Sequence, residues 1–127
     1  MATNVRTWLL AQFRSALGTG WQLTPYDEEL TPSRKTVMFF RSSVVPSPEA
    51  PGSGYLDNTV TLYVATAKQV GPKALDGLDA ALDDVIVALH GIHNAVFVSA
   101  TYKVLGETVP AFEVQVTVTS NITSTES

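Results

Sequence analysis

Apolar residues recur at helical spacing near the start of the chain. In residues 4–17 they follow steps of three and four, from Val5 to Leu17. Asn4 is placed to cap such a helix, and Gly18 is placed to end it. We therefore predict an amphipathic helix over 4–17.

A second helical pattern covers residues 72–90. Pro72 suits a first helical turn, where a missing N–H costs nothing, and Gly91 suits a C-terminal stop. The residues between them form a continuous apolar stripe, which predicts a buried helix face. Its members are Leu75, Leu78, Leu82, Val85, Ile86 and Leu89.

Four other stretches have the two-residue period or the β-branched content of strands. They cover residues 36–45, 58–67, 95–105 and 110–120. The last of them alternates most clearly and predicts one buried and one polar sheet face. Its inward residues are Phe112, Val114, Val116 and Val118, and its outward residues are Glu113, Gln115, Thr117 and Thr119.

The remaining segments predict loops. Residues 46–54 hold three prolines and two glycines, so we expect a mobile hairpin loop there. Residues 18–32 show no clear period, and residues 121–127 are expected to form a flexible tail.

The element order is therefore helix, strand, strand, helix, strand, strand. It predicts an α+β fold, with a single four-stranded, mostly antiparallel sheet and both helices packed on one face. Neither a repeat nor a domain boundary interrupts residues 1–127, so we expect a single domain.

The composition of the chain excludes several classes of function. The chain has 127 residues, of which 45% are hydrophobic, and its net charge is −4. An acidic chain is a poor binder of nucleic acid. With no cysteine, thiol catalysis, disulfides and Cys-ligated metals are excluded. The apolar run near the start is too short for a signal sequence or membrane span, so a soluble protein made in the cytosol is expected.

Catalytic and cofactor motifs are weak. His90 and His93 have the spacing of a metal-binding pair, but Gly91 should end the helix between them and no third ligand is indicated. The glycine pairs at 18–20 and 52–54 occur outside the strand-to-helix contexts of a phosphate loop or a nucleophile elbow. We therefore predict no enzyme activity, no metal site and no cofactor.

One row of acidic residues stands out on the second helix. Asp76, Asp79 and Asp83 lie beside its apolar stripe, and Asp84 lies further round. The row is consistent with a solvated helix face, with a docking face for a basic partner, or with a carboxylate site. Because the charge is one-sided, we take Asp76, Asp79 and Asp83 as candidate interaction residues.

Charge is also divided unevenly along the chain. Residues 1–48 carry five basic and three acidic residues, whereas residues 72–91 carry one lysine and four aspartates. Opposed charged surfaces permit head-to-tail association, which closes into a ring when the rotation allows. Ordinary surface variation gives the same imbalance. The outward strand residues form a low-charge β surface that invites pairing with another chain; they include Thr61, Tyr63, Ser99, Thr101, Thr117 and Thr119.

The layout resembles the tail terminator proteins of long-tailed, siphovirus-type bacteriophages. The likeness covers nearly the whole chain and is one of length and pattern. It is carried by a short Trp- and Leu-bearing helix, a hairpin with a long Pro/Gly loop, an Ala/Leu/Asp helix and two closing Val/Thr strands. The corresponding stretches are residues 5–9, 71–82 and 112–118.

The resemblance implies a structural protein of the virion. Such proteins form hexameric rings on the finished tail tube, stop its polymerisation and present the head–tail joining surface. The implied partners are further copies of the chain, the major tail tube protein and a neck or head-completion protein. DNA passes only through the lumen, and no membrane is involved. The implied location is the tail–neck junction of the virion, after assembly in the host cytoplasm.

Within this hypothesis the loop at 46–54 projects from the ring and becomes ordered on contact with the tube or neck. Its candidate interaction residues are Pro46, Ser47, Pro48, Glu49, Pro51 and Ser53. Three alternatives stay open: another neck subunit such as a head-completion or stopper protein, a small-ligand-binding α+β domain, and a non-viral interaction adaptor.

Overall fold

A computed structural model describes residues 5–25, 34–48, 52, 54–66, 72–105 and 109–121. It contains two helices and five strands. In chain order these are α1 (Val5–Leu17), β1 (Gln22–Thr24), β2 (Thr36–Pro46), β3 (Tyr55–Ala65), α2 (Pro72–His90), β4 (Ala95–Leu105) and β5 (Val109–Asn121).

Both predicted helices are confirmed. Helix α1 ends before Gly18, whose φ of 82° is left-handed and whose N–H donates to the Arg14 carbonyl at 3.2 Å. The expected cap, Asn4, lies outside the described residues. Helix α2 has the predicted bounds, but Leu75 is 49% exposed, and the small residues Ala81 and Ala88 complete its buried face instead.

The prediction of a four-stranded, mostly antiparallel sheet is wrong. The sheet has five strands in the order β1-β2-β3-β5-β4, and it is mixed, because β1 runs parallel to β2 while every other pair is antiparallel. Strand β1 falls within 18–32, where no period was seen. A three-residue strand is too short to show alternation, and its pairing with Thr36–Met38 is what holds it in place. The α+β class itself agrees with the prediction.

The core lies between the helices and one face of the sheet. Leu9 and Phe13 of α1 are fully buried, and the Phe13 ring meets Phe39 of β2 edge to face at 5.4 Å. Helix α2 supplies Val85 and Leu89. The sheet contributes alternate residues of its central strands, Val60, Leu62 and Val64 of β3 and Val114, Val116 and Val118 of β5, which are all fully buried.

The other face of the sheet, called here the open face, is polar over most of its length. Register places the predicted outward residues of β5 on it, beside Thr59, Thr61 and Tyr63 of β3. The alternation predicted for residues 112–119 of β5 is therefore confirmed. At the end where β2 begins, by contrast, the same face carries buried residues, among them Met38 and Ala111.

The two long outer strands are each interrupted by a bulge. The register of β2 shifts between Arg41 and Ser43, and the register of β4 shifts between Phe97 and Ser99. The row that joins Arg41 to Phe97 across the sheet lies between these two bulges. Because bulges increase local twist and bend a strand, we expect the sheet to bend near this row.

Candidate functional site

The hairpin segment is described at its two ends. Pro46 is the last residue of β2 and pairs with Leu56 rather than belonging to the loop. Ser47 is buried, and its N–H donates to the Tyr55 carbonyl at 3.0 Å, whereas Pro48 is exposed. The other candidate residues of this segment, Glu49, Pro51 and Ser53, lie outside the described residues.

The predicted acidic row is brought together on α2. Asp76, Asp79 and Asp83 are exposed and share one side of the helix, as their spacing requires. Asp84 is turned toward α1, where it lines a groove with Gln12 of that helix. Among the described residues no cluster of three or more His, Cys, Asp or Glu side chains could hold a metal ion. The row is thus an exposed, negatively charged surface.

The described elements at the β1 end of the sheet, called here the basic end, carry basic side chains. Elements α1, β1 and β2 contain no acidic residue, and their arginines are exposed. The Arg6 guanidinium donates to the Pro25 carbonyl just after β1, at 3.3 Å. Lys35, next to the start of β2, lies 5.1 Å from the Trp21 ring centre, a cation–π distance. Arg41 donates to Asn58 Oδ1 at 3.4 Å.

The charge division seen in the sequence is therefore a division in space. Helix α2, with its four aspartates, packs on β3, β4 and β5, whereas α1 packs on β1 and β2. Among the described elements, those at one end of the sheet carry basic and no acidic side chains, and the half that ends at β4 carries the acidic helix. The described parts of the basic and acidic segments therefore lie on different parts of the sheet.

The open face carries a hydrogen-bonded polar ladder. Tyr63 Oη donates to Glu113 Oε2 at 2.9 Å, and Lys103 Nζ lies 2.9 Å from the same oxygen. The hydrogen bond and charge of Lys103, helped by Tyr63, lower the pKa of Glu113, although burial opposes the shift. Further along, the Thr61 hydroxyl lies 3.0 Å from Ser42 Oγ and 3.3 Å from Gln115 Oε1. The face offers hydroxyls and amides with little net charge.

Strand β4 is one border of the described sheet. It is paired only with β5, over its whole length from Ala95 to Leu105, so its other edge has no strand partner among the described residues. Val96 is 61% exposed and Val98 is 59% exposed, and two more large apolar side chains on this strand, Tyr102 and Val104, are about half exposed. Lys103 is its single charged residue.

Part of strand β2 forms the second free edge of the sheet. The short strand β1 pairs only with Thr36–Met38, so residues 39–46 of β2 have no partner on that side in the described part of the chain. This stretch contains Val44 and Val45, which are both exposed, and it ends at Pro46. In the part of the chain that the structure describes, the sheet therefore has a free edge at each end, and both edges carry exposed valines.

Sequence reasoning found the charged surfaces but not the free edges. Both edges lie in strands that were predicted, but β4 is a border because β5 is inserted between β3 and β4, and β2 is partly free because β1 covers only three of its residues. The one available signal was the high Val and Thr content of the outward residues, which indicates a surface suited to strand pairing.

A groove of about 540 Å³ opens between the two helices. Trp21 forms part of its wall, and the charged side chains of Lys35 and Asp84 lie on its lining together with exposed Val87. His90 and His93 are both exposed and belong to no metal-binding cluster within the described residues.

Comparison with known proteins gives a likeness of fold. No protein-family model and no curated protein matches the sequence. Among solved structures, the chain is similar to the sheath/tube terminator of an extracellular contractile injection system (PVC), determined by cryo-electron microscopy in the extended state. The likeness has a TM-score of 0.50 at 13% identity and covers 95% of this chain. This chain spans 58% of the length of that protein.

The part of the chain that the structure describes holds no helix long and apolar enough to cross a membrane.

Proposed function

We propose that this chain is a tail terminator, a virion protein that caps the tail tube as a ring, stops its polymerisation and forms the head–tail joining surface. The observation that carries the proposal is the likeness of 95% of the chain to a sheath/tube terminator, at 13% identity. The sequence resemblance to tail terminators rests on different evidence, the order and length of the elements, and agrees with it.

The finer parts of the proposal have separate supports. A hexameric ring, a long non-contractile tail and a tail–neck location come from the sequence resemblance, while the structural relative terminates both a sheath and a tube. Negative-stain images of the particle distinguish the two kinds of tail, because a contractile tail has a sheath around the tube. A sheath would overturn the siphovirus assignment and leave the terminator role standing.

The proposal does not involve catalysis, a cofactor or membrane binding. Its partners are other copies of the chain, the tube protein and a neck protein, with DNA passing through the lumen. An acidic chain suits this, because a lumen that gripped phosphates would hinder the passage of DNA.

Deletion of the gene from its phage or prophage tests the role. Without a terminator we expect abnormally long tails that lack heads. Tails of normal length beside unattached or leaking heads would instead place the protein on the head side of the neck. Intact, infectious particles would remove the virion role altogether.

The hairpin segment is proposed as a contact with the tube or neck. Because Ser47 is buried and bonded to Tyr55, we leave it in place and remove residues 49–53 only. The shortened protein should keep the thermal stability of the full chain and lose attachment to tails. Attachment at the normal level would contradict the role of the loop.

The groove between the helices is what favours the rival function, a small-ligand-binding domain. Its volume of about 540 Å³ lies in the range of ligand pockets, and it combines an aromatic wall with two opposite charges. A specific, saturable rise in melting temperature in a ligand screen would support this rival.

A further inference from the structure

We propose that neighbouring copies of this chain join edge to edge, the outer edge of β4 in one copy pairing with the free part of β2 in the next. The sheet then continues from subunit to subunit. This inference rests on the ring proposed above and names the surfaces that close it.

The first support is the character of the β4 edge. Soluble proteins protect a long border strand with charges, prolines, bulges or a covering element, because its free N–H and C=O groups pair readily with another chain. Of these, β4 has a bulge between Phe97 and Ser99, with regularly paired strand on both sides of it. Strand β4 has eleven residues, contains no proline and carries one charge, Lys103, which is already paired with Glu113. Its exposed Val96 and Val98 increase the gain from covering it.

The second support is the match between the two edges in direction. Strands β2 and β5 run one way, and β3 and β4 run the other. In a ring whose axis runs roughly along the strands, every copy keeps these directions. Strand β4 of one copy then meets an oppositely directed β2, which permits the antiparallel pairing already used in the rest of the long-stranded sheet.

The third support is that the two edges carry their exposed residues at the same level along the strand direction. The rows of the sheet place Val96 level with Ser43, through Thr117 and Thr59, and both side chains lie on the open face. A pure rotation between copies keeps these levels, so the exposed valines of β4 come beside the free stretch of β2 that contains Val44 and Val45.

The fourth support is charge. Elements α1, β1 and β2 at one end have no acidic residue, whereas α2, on the half that ends at β4, has four aspartates. Head-to-tail pairing brings the acidic helix of one copy toward the basic end of the next. Pairing of two β4 edges would bring two acidic helices together and leave the β2 edge uncovered.

Cysteine cross-linking tests the contact, since the chain has no cysteine of its own. Two full-length single variants, Ser43→Cys and Val96→Cys, are mixed and oxidised, both in concentrated solution and bound to tails, and the products are run on non-reducing gels. Within one copy the two positions are three strand spacings apart, roughly 14 Å, too far for a disulfide. Any bond between them therefore joins two copies.

The expected result is a Ser43→Cys/Val96→Cys dimer in the mixture and a ladder of covalent oligomers from the double variant. Val45→Cys, two residues along the same face, replaces Ser43→Cys if strand tilt shifts the register. The matched control is Ala80→Cys, an exposed position on α2, which should not cross-link to Val96→Cys.

Two outcomes would overturn the inference. Dimers from Val96→Cys alone would show a symmetric pairing of two β4 edges. The second outcome combines two results: the deletion mutant makes overlong tails, but protein bound to tails gives no β2–β4 cross-links. That outcome would leave the terminator role intact and contradict the edge contact. Normal tails in the deletion mutant would instead contradict the proposed function, whatever the cross-linking shows.

Discussion

At the scale of single residues, the polar contacts on the open face are local and weakly charged. Glu113 accepts from Tyr63 and Lys103, and each donor lies 2.9 Å from the same carboxylate oxygen. The Lys103 side chain is 47% exposed, so water and salt screen the pair and its contribution to stability is small. We expect this cluster to affect how the stability of the protein depends on pH in the acid range.

We predict a pH dependence from the Glu113 cluster. Its folded pKa lies below the ordinary value of 4.5, so its stabilising effect is complete above that pH and is lost as the pH falls through the folded pKa. The Glu113→Gln variant lacks this effect. Urea unfolding of both proteins from pH 7 to pH 3 should therefore show a stability difference that shrinks toward the acid end.

Lys103→Met is the control for this cause. It removes the largest contribution to the shift, and the carboxyl pKa of Glu113, followed by NMR, should move up toward its ordinary value. An unchanged Glu113 titration in Lys103→Met would contradict the assignment of Lys103 as the main cause.

At the scale of elements, the sequence predicted the helices and strands that have a long repeating pattern, and it missed the short strand β1. Helix α2 and strand β4 have the predicted bounds because each continues its pattern for eleven residues or more. Strand β1 has three residues, and eleven residues separate it from its partner strand β2, so nothing local marks it. Strand order was equally hidden, because β5 alternates in the same way whether it pairs with β3, β4 or both.

The same limit applies to the candidate site. The spacing of Asp76, Asp79 and Asp83 is a local property of one helix, and it correctly placed them on a common exposed side. The free edge of β4 is a property of the whole sheet. Its valines look like core residues in the sequence, and only the position of β4 at the border leaves them exposed.

We predict that the acidic row acts in assembly and not in folding. The triple variant Asp76→Asn, Asp79→Asn, Asp83→Asn should unfold at nearly the same temperature as the parent, because exposed charges contribute little to stability. Its association with tails should weaken, and it should lose the salt dependence of the parent. Sedimentation with purified tails at low and high salt measures both.

Asp84→Asn is the matched control, since Asp84 is on the same helix but lines the groove toward α1. It should associate with tails as the parent does. If the triple variant assembles normally at every salt concentration, the row is a solvated helix face and the charge contact is absent.

At the scale of the whole molecule, surfaces of different chemical character lie on different sides of the sheet. Helices cover one face of the sheet, and a hydroxyl-rich ladder with little net charge covers most of the other. Among the described residues, the two ends of the sheet differ in charge, and each has a free edge with exposed valines. A chain that acts alone gains nothing from uncovered edges, which expose it to aggregation. A subunit that repeats around an axis uses both of them in every contact.

The central claim is that this protein limits the length of a tail tube, and tail length is its most direct measurement. We would delete the gene, record the distribution of tail lengths by negative-stain electron microscopy, and restore the wild-type gene from a plasmid as the control. The account predicts a broad distribution of overlong, headless tails that returns to one sharp length on complementation. A single normal length in the deletion mutant would contradict it.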